Sequence, residues 1–171
     1  MTDQDMLNLM RKSLRDYFGG VNDPPAGGAI TGEGLFVTLH KGERLRGCIG
    51  CLEGREPLDR LIYRYARSAA FEDPRFPPLA EEELERIRGE ITLLSPFEPV
   101  EDTGEIEVGI HGLYLQRGYR SGLFLPQVPV EQGWNLGEYL FHLCGKAGLP
   151  PDSWRDRDAS LFRFTGRIVS E

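Results

Sequence analysis

The sequence predicts an α+β fold: a largely antiparallel sheet with flanking helices, arranged as a larger and a smaller lobe of one domain over residues 1–171. Two observations carry the sheet and its helices. Short alternating apolar runs separated by turn residues give hairpins, and runs of helical period lie between them in mixed order. That order fits hairpin-connected strands better than a doubly wound parallel sheet. A chain of 171 residues with 40% apolar residues is long enough to bury a core.

The elements follow in order. Met6, Leu7, Met10, Leu14, Tyr17 and Phe18 recur at helical spacing, and Gly19-Gly20 ends the run. Asn22 to Gly34, with four glycines and two prolines, is a loop. Leu35 to His40 and Arg44 to Cys51 alternate about a turn at Lys41-Gly42-Glu43. Keeping the apolar faces together pairs Leu39 with Leu45, Val37 with Gly47 and Leu35 with Ile49. The other face then sets Phe36 opposite Cys48 and Thr38 opposite Arg46. Pro57 opens a second helix with a stripe of Leu58, Leu61, Ile62, Tyr65, Ala66 and Ala69. A proline-rich loop at 72–79 and a short helix from Glu81 to Ile87 precede a strand from Arg88 to Ser95. Strands are expected over Val108–Gln116, Ser121–Leu125 and Leu161–Val169. Asn135 with Glu138 forms a capping box for a long helix that stops at Gly148.

Charge and composition narrow the function classes. A net charge of −7 argues against general nucleic-acid binding. No apolar stretch is long enough for a membrane helix, and Met1–Met6 carries two aspartates and no basic residue, unlike a targeting signal. Three cysteines, an odd number, fit a reducing compartment, so a cytoplasmic location is expected. The charge is uneven: residues 41–75 hold eight Lys/Arg against six Asp/Glu, and residues 81–107 two against ten. Seventeen of the twenty cations are arginine, which suits bidentate anion recognition but equally reflects genome composition or heat adaptation.

Few residues carry chemistry. Cys48 and Cys51 have C-x-x-C spacing, but inside a strand their α-carbons stand about 10 Å apart, whereas a disulfide needs less than about 7 Å. No second pair completes a zinc site, and no cofactor motif occurs, so no metal and no cofactor are expected. Cys48 shares a face with Arg46, a neighbour that favours thiolate, and lies between Gly47 and Gly50, which admit close approach. It is either a ligand-facing thiol or a small buried hydrophobe. His111, flanked by Gly109 and Gly112, is either a proton-transfer group or a satisfied histidine at a strand crossing. Asp73-Pro74-Arg75-Phe76-Pro77-Pro78 is a stiff loop with one acid and one base, suited to positioning function or to bracing its neighbours. The single-site expectation groups Cys48 and His111 as catalytic candidates, with Arg46, Gly47, Gly50, Asp73 and Arg75 binding an anionic ligand.

The same stretches resemble the AMMECR-type domain family. Leu45-Arg46-Gly47-Cys48-Ile49-Gly50 matches its hallmark hexapeptide. Phe71-x-Asp73-x-Arg75-Phe76-Pro77-Pro78, Glu83-Leu84, Glu107-Val108-Gly109-x-His111-Gly112, Leu125-Pro126 and Glu131-Gln132-Gly133-Trp134 follow in the family's order. The chain looks most like the prokaryotic AmmeMemoRadiSam branch. The resemblance implies a two-lobed α+β fold with the hexapeptide near a cleft, and it supplies no reaction. It implies an accessory or binding component working with a Memo-like protein and a radical S-adenosylmethionine protein. The alternative is an enzyme acting on a small molecule or a modified macromolecule through Cys48, with His111 transferring protons. Cys51 stands where relatives often carry threonine, and Asn135 where they often carry aspartate.

Overall fold

Thr2 starts the first helix. Its hydroxyl accepts from the Asp5 N–H while the Asp5 carboxylate accepts from the Thr2 N–H, a reciprocal cap. Helix α1 (Asp3–Phe18) then buries Met6, Leu7, Met10 and Leu14 along one stripe and ends at Gly19. This is a computed structural model, and it describes all residues 1–171. The chain divides into two compact units, Met1–Leu94 with Arg167–Glu171, and Ser95–Gly166.

In the first unit, β1 (Gly32–Lys41) and β2 (Arg44–Gly54) form an antiparallel hairpin, followed by α2 (Leu58–Phe71) and β3 (Ile87–Leu94). The last strand of the chain, β8 (Gly166–Ser170), completes this sheet in the order β2-β1-β3-β8. Leu35, Val37, Leu39 and Ile91 meet the apolar stripes of α1 and α2 in one core. The expected helix over Glu81–Ile87 is only a 3-10 turn at Glu81–Glu83, because Ile87 already begins β3.

The hairpin corrects the expected register. The turn has two residues, Gly42 and Glu43, with Lys41 opposite Arg44 and Gly42 at φ 60°. His40 pairs with Leu45 and Leu39 with Gly47, so Arg46 is the extra residue of a β-bulge. Beyond the bulge Thr38 lies opposite Cys48, Val37 opposite Ile49 and Leu35 opposite Cys51. The ladder beyond the bulge is thus displaced by two residues from the expected one, and a two-residue slip keeps the side chains there on their expected faces. Ile49 and Cys51 accordingly pack against the core. Leu45 does not: it is 38% exposed while Arg46 is only 9% exposed, because the bulge re-aims both.

The second unit contains β4 (Glu98–Pro99), β5 (Gly112–Arg117), β6 (Arg120–Phe124), α3 (Gln127–Gln132), α4 (Leu136–Lys146) and β7 (Ala159–Phe164). Its sheet runs β4-β7-β5-β6, with antiparallel pairing throughout. Asn135 and Glu138 cap α4 reciprocally, as expected. Tyr139, Leu140, Leu143 and Cys144 from α4 pack on Leu113, Leu115 and Leu161. Val108–His111 is a turn rather than strand, with Gly109 at φ 93° and the His111 N–H donating to the Glu107 carbonyl. There are therefore two antiparallel sheets where one was expected, and the single expected strand Leu161–Val169 is split between them.

Candidate functional site

The hexapeptide is built on the bulged strand. Arg46, the bulged residue, is drawn inward and all three of its side-chain nitrogens are engaged. Its Nε and Nη2 donate to the two oxygens of Glu83 at 3.2 and 2.9 Å, and Nη1 and Nη2 donate to the carbonyls of Pro77 and Pro78. Lys41 also donates to Glu83 at 2.9 Å. Arg46 and Lys41 together hold the Glu83 carboxyl down at about 2. The expectation that Arg46 stands free beside Cys48 as an anion holder is corrected: it latches the proline-rich loop to the hairpin.

Gly47 and Gly50 are also explained by the protein itself. A Cβ on Gly47 would lie 2.0 Å from the Ala69 carbonyl oxygen of α2, and one on Gly50 would lie 2.0 Å from the Leu35 carbonyl oxygen. The space these glycines leave is filled by backbone, so their absence of side chain serves packing of α2 and pairing of β1.

Cys48 faces away from the helical core in a row with Thr38 and Glu90, which pair across β1 with β2 and β3. The Thr38 hydroxyl donates to Cys48 Sγ at 3.2 Å. Behind it lies Asp73, whose side chain is only 2% exposed. One Asp73 oxygen accepts from the Cys48 N–H at 2.9 Å and from Arg75 Nη2 at 2.7 Å, and the other accepts from the Arg75 N–H and Nε. Arg75 Nη2 closes the ring by donating to the Cys48 carbonyl at 3.3 Å. Cys48 backbone, Asp73 and Arg75 thus form one clamp between strand and loop. The Arg75 guanidinium, with help from the Cys48 N–H, holds the Asp73 carboxyl far below the usual carboxylate range.

The thiol responds the other way. Burial pushes the Cys48 thiol up, and the Thr38 hydrogen bond and the Arg75 charge only partly oppose it. The expected activation of Cys48 by Arg46 is therefore corrected in both partner and sign. Arg75 supplies the nearby positive charge, and desolvation outweighs it. All three cysteines are free, and Cys144 is fully buried in the second unit's core. No group of three or more His, Cys, Asp or Glu is placed to hold a metal ion.

His111 belongs to the second unit. Its Nδ1 accepts from the Glu107 N–H at 2.9 Å, and its carbonyl accepts from the Tyr139 hydroxyl at 3.2 Å. Nδ1 is thereby fixed as the acceptor nitrogen, and the neutral ring carries its proton on Nε2. Of the expected site residues, Arg46, Gly47, Cys48, Gly50, Asp73 and Arg75 come together in the first unit. Thr38 and Glu83 complete the arrangement and were not among the expected site residues. Thr38 was set opposite Arg46 by the slipped register, and Glu83 entered only through the family motif Glu83-Leu84, with no partner assigned to it.

A family model described as AMMECR1 matches residues 7–169. A protein from Thermococcus gammatolerans is 42% identical over 97% of this chain and 88% of its own length. One from Methanopyrus kandleri is 41% identical over 97% of this chain and 86% of its own length. The crystal structure of an uncharacterised protein from Pyrococcus horikoshii superposes with a TM-score of 0.84 at 38% identity, covering 95% of this chain and 88% of that one.

Proposed function

Since this chain belongs to the AMMECR1 family, we propose that it is an accessory binding component, working with a Memo-like and a radical S-adenosylmethionine protein, rather than a cysteine-dependent enzyme. The observation that carries this reading is the state of the hexapeptide. Its cation is spent on Glu83, its cysteine is held as thiol, and its polar groups lock one another in place. A nucleophilic cysteine needs a lowered pKa or an adjacent base, whereas a recognition surface needs rigid backbone and a presented group. Arg75 is the presented group. Its side chain is 55% exposed, and Nη1 bonds nothing within the chain while Nε and Nη2 are anchored on Asp73. A carboxylate of the partner would fit that remaining edge.

The test is recovery of the two partner proteins from the native host on the tagged full-length chain. Cys48→Ser is expected to retain them, and Arg75→Gln to reduce recovery about tenfold, the loss of one charge-assisted hydrogen bond. Recovery of neither class, or full recovery with Arg75→Gln, overturns the reading. So does a turnover that Cys48→Ser abolishes.

A further inference from the structure

A second feature of the first unit lies away from the hexapeptide. Arg60, Arg64 and Arg67 are spaced along α2 so that they share one face. That face and the loop after α1 enclose a cleft of about 430 Å³, whose wall also includes Asn22, Tyr63 and Ser68. The size is that of a small-molecule site.

The polar groups of this cleft are unevenly matched. Arg64 is paired with Glu56. Arg60 and Arg67 have no carboxylate partner. Arg60 donates to the Pro25 and Ala26 carbonyls at 3.1 and 3.0 Å. Arg67 donates to the Val21 carbonyl, the Asn22 side chain, Ser13 and the Tyr63 hydroxyl. Asp16, which feels the Arg67 charge, is engaged by Lys12 and by the Tyr63 hydroxyl. The remaining acid of the wall, Glu72, is exposed and forms no ion pair. Two guanidinium groups are thus held in place by neutral acceptors, which fixes their geometry while leaving neither in an ion pair. Ser68 adds an independent sign. It is 9% exposed, lines the cleft, and its hydroxyl has no hydrogen-bond partner in the chain. The hydroxyl still reaches solvent through the cleft, so it is free to meet a ligand there.

We infer that this cleft binds a small organic oxyanion, a phosphate ester or a carboxylate, with its oxygens taken by Arg60, Arg67 and the Ser68 hydroxyl. The site shares no residue with the hexapeptide clamp and does not rest on the partner reading. The loop carbonyls position the arginines before the ligand arrives, so binding spends little on ordering them.

The experiment is amide NMR of the full chain, titrated at constant ionic strength with inorganic phosphate and, separately, with citrate. Saturable shifts confined to residues 60–72 and Asn22 are expected with at least one probe. Response to phosphate alone marks a phosphoryl ligand, response to citrate alone marks a polycarboxylate, and response to both supports the shared oxyanion chemistry. Ser68→Ala and Arg60→Gln are each expected to weaken that binding about tenfold. Arg60→Gln also frees two loop carbonyls, whereas Ser68→Ala removes a group that holds nothing else, so the serine variant decides if the loop moves. Absence of saturable shifts with both probes, or unchanged affinity in Ser68→Ala, overturns the inference.

Discussion

Asp73 shows how one buried carboxylate can organise a strand and a loop. It accepts from two backbone N–H groups and from two nitrogens of Arg75, so it is fully compensated although almost wholly out of water. Asp73→Asn keeps the shape but removes the charge that holds Arg75. A loss of about 3 kcal/mol is expected in chemical denaturation, the usual cost of breaking such a pair. Glu83 gives a pH signature. Its carboxyl is lowered from 4.5 to about 2 in the folded chain. A depressed carboxylate contributes stability above its unfolded pKa and loses it as pH falls through the folded value. Wild type should therefore exceed Glu83→Gln by about 2 kcal/mol at pH 7. That margin should shrink between about pH 4.5 and about pH 2. A pH-independent margin would refute the ion-pair account. At Cys48, alkylation should keep accelerating above pH 9, the ordinary thiol value, and Arg75→Gln should slow it further by removing the charge that partly offsets burial.

At the scale of elements, the hairpin separates two reasons for glycine. Gly42 turns the chain at positive φ with open space around its Cα, so Gly42→Ala should cost about 1 kcal/mol from backbone strain alone. Gly47 sits under the Ala69 carbonyl, and Gly47→Ala must push α2 off the sheet. A cost of about 3 kcal/mol is expected, measurable by denaturant titration of the two variants side by side. The hairpin also shows where sequence reading succeeds. Alternation placed Leu35, Val37 and Leu39 in the core and Cys48 on the far face, because facing survives a two-residue slip. It failed at Leu45 and Arg46, since a bulge leaves no mark on alternation and its extra residue is recognisable only from the ladder. The capping box of Asn135 and Glu138 was legible because both partners are local. The clamp of Cys48, Asp73 and Arg75 was legible only as candidates, since its bonds join residues 25 and 27 positions apart. The run Leu161–Val169 reads as one strand because nothing local says that Leu161 and Val169 serve different cores.

At the scale of the whole molecule, the chain leaves the first unit after Leu94, builds a second compact unit, and returns for a final strand. The return is chemically fastened. Arg11 donates to both oxygens of Glu171 and to the Leu84 and Ile87 carbonyls, and the Glu171 carboxylate also accepts from the Gly89 N–H. Arg11→Ala should therefore leave those carbonyls unbonded and cost about 2 kcal/mol. Faster hydrogen exchange at Ile87–Gly89, with little change in β5 and β7, is the expected signature. No helix is long and apolar enough to cross a membrane, and the units are organised around their own two apolar clusters.

That late return bears on how the chain is born. A ribosome emits the first unit's helices, hairpin and β3 early, yet β8 is translated only after the whole of Ser95–Gly166. Domains fold as units during synthesis, so the second unit can close while the first still lacks its edge strand. The unpaired edge of β3 is then the nascent chain's exposed template for wrong pairing, and its lifetime is set by the translation of the 72 residues of Ser95–Gly166.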